Sequence, residues 1–551
     1  MSTEWAIESD VIVVGSGAAA YSAAITAKKQ GAEVIMLEKA ASAGGTTMRS
    51  GGGFWIPNNR FQKAMGILDS KEDATRYMAR YSFPQLYNPK APRLGLPEND
   101  FTLINTYYDT ASRMVNFMEK IGAIKTIQEI NWTGQPQVDY MDHLPENKGI
   151  RGRVLFSEGP DGKVAYGFEL VRQMKTWADR NAIPLMLNHT VNKILLNGDG
   201  EVKGVEAITG GDRKATVAKN FRGKKAVIFA SGGYTHNKDL MLHFQRGPHF
   251  GGCAAPGNTG DFIYMAGAIG AQLGNMASAW RAQIVLEQAL ADPDGVHNVF
   301  YVLGDSVLEV NRYGQRVMDE KRNYNDRTML HFVWDPNRAE WTNMLLFMVF
   351  DSRTASLWQG FPPLPVEGKP APYVITGNNL EELSAGISSR LTDLSDKTGG
   401  FSLSDNFNVN FKISVARFNK FAVEGVDADF HRGDFAYDRE WTTFPPTTPG
   451  SEWPPPGTKN HTMYPLSDKG PYYAIILAAG TLDTNGGPLI NGHAQILDNF
   501  SRPISGLFGA GNCIASPTAN AYWGAGSTIG PALTFGHIAG LNAAAEAVKT
   551  E

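Results

Sequence analysis

Cysteine is nearly missing from this chain: its 551 residues include only Cys253 and Cys513. Two cysteines make no disulfide framework, and neither stands at metal-ligand spacing from a partner. Both read as small buried residues of a chain kept in a reducing, cytoplasmic compartment, and no metal site is expected. Long apolar runs are missing too. No stretch approaches the ~20 residues of a membrane span, which argues against a transmembrane segment and leaves only peripheral membrane contact open. There is no basic excess. With 51 Lys and Arg against 55 Asp and Glu, the formal net charge is -4, which argues against nucleic acid as a partner. The start is polar and reaches an apolar run by Val11, leaving no room for a signal peptide. Gly (59) and Pro (30) are frequent, yet they punctuate periodic segments and form neither repeats nor low-complexity tracts. What remains is 42% apolar and 19% charged, the balance of a soluble globular enzyme. The length exceeds one hydrophobic core and implies two or three domains.

The most informative stretch is residues 10–53. Residues 11–14 are a short continuous apolar run, as in a parallel strand buried on both faces. Gly15-Ser16-Gly17-Ala18-Ala19-Ala20 follows, then a helical run over 21–30, a second apolar strand over 33–37, and Glu38. This is the dinucleotide fingerprint in its Gly-x-Gly-x-x-Ala form. Gly15 permits the tight turn, Gly17 admits a pyrophosphate to the backbone, and Ala20 packs helix on strand, with the helix start facing the phosphates. Glu38 stands where a carboxylate accepts both hydroxyls of an adenosine ribose. Gly44-Gly45-Thr46-Thr47 and Gly51-Gly52-Gly53 add a second cradle, suited to backbone lying against a flat ring system. Nicotinamide folds do not need it. FAD is the expected dinucleotide.

Further along, helices are expected over 72–81, 101–121 and 168–181, and short strands over 182–208. Residues 135–153 read as an aromatic loop too polar for the core. The run KAVIFASGG at 225–233 predicts a strand passing under the nucleotide, with Ala230, Ser231 and Gly232 leaving the pocket open. Gly257 to Asp261 forms another glycine turn at a helix start. From 276 to 464 such turns are rare and Trp- and Pro-rich loops appear, notably over 441–456, as in an inserted substrate domain. Glycine turns resume with Gly480 and Gly486-Gly487, then the run 506–512, which ends in Gly511-Asn512. A helix starting near Thr528 aims its positive end at the flavin pyrimidine, where negative charge collects on reduction. The expected fold is α/β: a discontinuous Rossmann-like FAD-binding domain (1–275 and 465–551) with an inserted α+β substrate and catalytic domain (276–464). Besides Gly15 to Ala20 and Glu38, the expected cofactor contacts are Lys39, Gly45, Thr46, Thr47, Ser50 and Gly51 to Gly53. From the later segments come Ala230 to Gly232, Asp261, Gly511, Asn512, Ser527 and Ile529.

Three blocks together resemble the 3-ketosteroid Δ1-dehydrogenases, flavoproteins of the fumarate reductase-like superfamily. They are the N-terminal fingerprint with EKAASAGGTTMRSGGGFWIPNN, the central VNRYGQRVMDEKRNY, and YWGAGSTIGPALTFG near the end. The likeness runs over essentially the full length, and the last block is its most specific part. It implies that a Tyr removes a proton beside a ketone while flavin N5 takes a hydride from the neighbouring carbon. By position, Tyr324, four residues past Glu320, matches the base. Tyr522 and the Gly526 N–H match the pair that holds the ketone oxygen. The chemistry suits these groups, since an enolate needs donors pre-aimed at its oxygen. A Tyr base, with a free pKa of ~10, needs neighbours that stabilise its phenolate. The family carries a further Tyr before a Pro-Glu pair for this purpose. Here His143 falls in that place, with Tyr140 as the other candidate. Trp523 stands where a Pro is expected, and its bulk is expected to shorten the pocket. Both departures bring a smaller ring, as in cyclohexanone dehydrogenase, into consideration beside a full steroid.

Rival readings are weaker. A fumarate or urocanate reductase of this superfamily carries an Arg where Tyr324 stands and clamps carboxylates with cations, which Tyr522-Trp523-Gly524 lacks. Succinate dehydrogenase subunits attach FAD to a His, whose place Gly45 takes, so FAD is expected to be non-covalent. A flavin scaffold without activity leaves the paired oxyanion donors unexplained, and a 3-oxo-5α-steroid 4-dehydrogenase differs only in the bond desaturated. The expectation is an FAD-dependent dehydrogenase that places a double bond beside the carbonyl of a small-molecule cyclic ketone. With no second nucleotide fingerprint, its electrons go to an external acceptor, a quinone or a dye.

Overall fold

The computed structural model describes residues 4–209 and 217–549; residues 1–3 and 550–551, the ends of the expected flavin unit, lie outside the described residues. The largest sheet is organised on the strand Ile7–Val14. It pairs in parallel with Val34–Leu37 on one side and with Val217–Phe229 on the other. Pro503–Gly509 extends the sheet in parallel beyond Val217–Phe229, so the two ends of the chain share one sheet. Val11, Ile12 and Val13 are fully buried, as a run apolar on both faces requires. The helix Ala18–Lys29 covers one face and packs along Ile529–Ala545. Small residues set that approach: Gly536 and Gly540 lie against the Ala19 and Ala23 carbonyls. Thr26 Oγ1 meets His537 Nδ1 at 2.9 Å, which gives His537 a packing role between the helices.

A second, mostly antiparallel sheet is centred on Tyr472–Thr484, which pairs with Ala279–Val285, Leu345–Asp351 and Val374–Gly377. The expected division at 464/465 would give this strand to the flavin unit, and the structure places it elsewhere. Gly480, read as a turn, lies mid-strand opposite Ala282. The chain rejoins the first sheet only at Gln495–Leu497. An apolar strand carries no mark of which sheet will take it, so glycine placement misled here.

The expected helices form as Lys71–Ser82, Glu98–Lys120 and Gly167–Arg180. Residues 135–153 are irregular, as read, but their polarity does not keep them out of the interior. Arg153 is fully buried. Its guanidinium forks onto Asp69 at 2.7 and 2.9 Å and also reaches Asp139. Asp139 accepts further bonds from Trp55 Nε1 at 2.7 Å and Asn147 Nδ2 at 2.8 Å. Charges tolerate burial when every lone pair and proton is taken up in this way. The network fixes the backbone on either side of Tyr140. Among the described residues, no helix is long and apolar enough to cross a membrane.

Candidate active site

A cleft of about 450 Å³ opens at the C-terminal ends of the parallel strands, the usual place for a ligand in such a sheet. Gly15, Gly17, Ala18 and Ala19 of the first turn line it, with Glu38 and Lys39 from the end of the second strand. Gly45, Thr46, Thr47 and Ser50 form one wall; Ala230, Ser231, Gly232 and Asp261 form another. Gly511, Asn512 and Ile529 close the far end, where the last helix begins. Five expected contacts lie outside this lining. Ala20 is buried within its helix. Gly51 is not in the wall, Gly52 backs onto the Tyr166–Gly167 backbone, and Gly53 onto Phe156. Ser527 turns inward, with its hydroxyl donating to the Gly524 carbonyl at 2.8 Å and accepting from the Gly524 N–H at 2.9 Å. Gly52 and Gly53 serve chain crossing, and Gly53 lies directly against Gly526.

The residues present fit FAD. Gly15 has φ +111°, and a Cβ there would stand 2.4 Å from the Ala230 carbonyl oxygen, so only glycine lets the two strand ends close under the cleft. Ala18 N–H donates to Thr47 Oγ1 at 3.1 Å, which orders the loop facing an anion-binding helix start. Glu38 accepts from Ser16 Oγ at 2.5 Å and from the Ala40 N–H at 2.8 Å, which fix its carboxylate at the cleft wall, where it would meet a ribose. Lys39 reaches Asp261 at 2.8 Å across the cleft mouth. Sequence reasoning missed Asp483 and Asn258, which also line the cleft. Asp483 accepts from the Gly233 N–H (3.0 Å), Asn258 (2.6 Å), Asn512 (2.9 Å) and Thr235 (2.9 Å). Burial raises its carboxyl and these donors oppose the rise. One side chain of the second sheet thus gathers three loops of the first. Its sequence signal was an acid at the end of an otherwise apolar strand.

Beside the cleft, Tyr140, Tyr324 and Tyr522 converge. Tyr140 Oη donates to Tyr324 Oη at 2.7 Å. The Tyr140 and Tyr522 rings stack at 5.2 Å, and Tyr324 stands edge-on to both at 5.3 and 5.5 Å. Burial raises the Tyr522 phenol, and Gly526 follows it four residues later. Gly526 has φ +85°, and a Cβ on it would stand 2.4 Å from the Gly53 backbone. Trp280, Leu482, Phe300 and Trp441 pack around the group. Burial pushes the Tyr324 phenol well above its ordinary value, and the bond from Tyr140 works in the opposite direction.

Two expectations are corrected. His143 does not reach Tyr324: its Nδ1 lies 2.9 Å from Arg322 Nη2 and its ring leans on Phe435. Burial, then the Arg322 charge, lower its pKa. Tyr140, the other candidate, fills the space beside the phenol. Trp523 does not narrow the site. Neighbouring side chains here leave the backbone on opposite sides, so Tyr522 faces the tyrosines while Trp523 enters the core. It packs there on Trp55 and Tyr107 at 5.3 and 5.4 Å and donates to Ser82 Oγ at 2.9 Å.

Residues 10–529 match the family of FAD binding domains. The chain is 30% identical to 4-oxocyclohexanecarboxylate 2-dehydrogenase of Sinomonas cyclohexanicum, over 98% of this chain and 93% of that one. It is 29% identical to 3-oxosteroid 1-dehydrogenase of Mycolicibacterium smegmatis, over 98% of each. Its fold matches the crystal structure of 3-ketosteroid delta1-dehydrogenase from Sterolibacterium denitrificans with a TM-score of 0.79 and 24% identity, over 98% of this chain and 99% of that one. The cleft, the tyrosines and these likenesses agree: the chain belongs to the FAD-binding flavoproteins of the 3-ketosteroid Δ1-dehydrogenase family.

Proposed function

We propose that the protein desaturates a cyclic ketone at the bond beside its carbonyl. The observation that carries this reading is the Tyr140–Tyr324 hydrogen bond with the Tyr522 ring set against both tyrosines. The Rossmann-like sheet holds the cofactor, and the antiparallel unit that follows it supplies Tyr324. FAD, bound without a covalent link because Gly45 stands where a His would attach it, supplies a hydride acceptor at N5. Tyr324, as phenolate, takes the proton from the α carbon of the ketone. Tyr140 donates to that phenolate and spreads its charge. The Tyr522 O–H and Gly526 N–H hold the ketone oxygen, where the enolate charge gathers. The aromatic surround suits a carbocycle. Electrons leave to a quinone or dye.

The test offers the purified yellow protein a dye acceptor with cyclohexanone or androst-4-ene-3,17-dione. The expected product is two hydrogens lighter, with the added conjugation visible in the ultraviolet. Consumption of fumarate with a reduced dye, and of neither ketone, would overturn the reading.

A further inference from the structure

One guanidinium joins the segments that carry the tyrosines. Arg322 stands two residues before Tyr324. Its Nη2 donates to the Tyr140 carbonyl at 2.8 Å and to Asp142 Oδ1 at 3.1 Å, and its Nη1 donates to Asp438 Oδ1 at 2.8 Å. Asp142 uses its other oxygen to accept the Tyr437 N–H at 2.8 Å. Asp438 likewise accepts the Gly433 N–H at 3.2 Å. The side chains of Asp142 and Asp438 are 6% and 0% exposed, where charge-assisted bonds are strongest. Phe435 and Tyr437 cover the guanidinium from the 435–437 segment.

The groups facing the Tyr324 phenol are the hydroxyls of Tyr140, Tyr522 and Tyr437. Those facing Arg322 are Asp142, Asp438, Asp319 and His143. Arg322 has no direct bond to the base; its hydrogen-bonded route to the base runs through the Tyr140 backbone, and Tyr437, which covers the guanidinium, adds a ring contact beside it. A planar fork meets four partners on two separate segments, Tyr140, Asp142 and His143 on one and Asp438 on the other, at angles that a lysine ammonium does not reproduce.

We propose that Arg322 is a positioning residue: it holds the Tyr140 backbone so that the Tyr140 hydroxyl stays on Tyr324. The inference rests on the reading of Tyr324 as the base. A donor to the phenolate favours the charged form. Loosening it raises the pKa of Tyr324, so the phenolate fraction at a given lower pH falls about tenfold per unit of rise, and the acid limb of the rate profile moves to higher pH.

The experiment compares R322K, Y140F and the double variant in their flavin-loaded forms. R322K is expected to keep its flavin and to lose roughly tenfold in kcat with KM changed less than about threefold, as for a group acting only on the reacting step. Its acid limb should move up, and adding R322K to Y140F should cost nothing further, because both act through one bond. Tyrosinate difference absorbance, referenced to Y324F, should show the same upward move without turnover. That titration separates failure of this inference from failure of the proposed reaction. An unmoved limb and titration, or losses that multiply in the double variant, would overturn the inference. If R322K fails to load flavin, D142N decides by the same two readouts, since it removes one anchor and keeps the arginine.

Discussion

Replacing Tyr324 by Phe is expected to abolish most ketone desaturation, a loss of roughly 10²- to 10⁴-fold in kcat for removal of a positioned base, while the protein stays folded and yellow. The phenol's hydrogen-bond partner is the Tyr140 hydroxyl at 2.7 Å, one bond among the many contacts that hold its segment in place. Phe keeps the ring contacts with Tyr140, Phe300 and Tyr522. The structural cost is the orphaned Tyr140 hydroxyl, about 1–3 kcal/mol for a buried donor, which thermal unfolding reads separately. Exchange of the α protons of a bound ketone with deuterated solvent should fail in parallel, because it needs the same proton transfer. An activity within threefold of the parent would place the base elsewhere.

Gly15→Val is expected to yield a colourless protein. A Cβ at Gly15 meets the Ala230 carbonyl oxygen at 2.4 Å and its carbon at 2.9 Å, both rigid backbone in the sheet's centre. A branched side chain at φ +111° adds strain of roughly 1–3 kcal/mol. The strand ends must part, and the phosphate-facing turn opens with them. The ratio of flavin to protein absorbance measures the effect. Gly31→Ala is the control, with φ +92° and nothing within 4 Å of the new Cβ. It should show strain in its melting temperature and keep its flavin. A fully yellow Gly15→Val protein would mean that the turn is not the cofactor's seat.

The cofactor turn was legible because its chemistry is local: strand, glycine turn, helix start and Glu38 follow one another in the chain, so spacing carries the geometry. The tyrosine site was legible only through resemblance, because Tyr140, Tyr324 and Tyr522 come from distant segments and meet through a tertiary network. That is also why His143 seemed as good a neighbour for the base as Tyr140. The choice lies in Arg322, which takes up the His143 nitrogen and the Tyr140 carbonyl. Trp523 was misread because bulk was visible and direction was not. Residues 135–153 looked too polar for the interior because their partner Asp69 lies far upstream in the chain. The strand Tyr472–Thr484 could join either sheet on apolar content alone, and pairing partners decide that.

The central claim is that a cyclic ketone delivers its electrons to the flavin of this protein. Anaerobic titration of the yellow protein with androst-4-ene-3,17-dione and with cyclohexanone, followed by flavin absorbance, tests it most directly. The account predicts bleaching by at least one of the two ketones, and none in Tyr324→Phe. Bleaching by the steroid would show the site long enough for fused rings, and bleaching by cyclohexanone alone would mark a small-ring enzyme. A flavin that stays oxidised with both ketones would contradict the account.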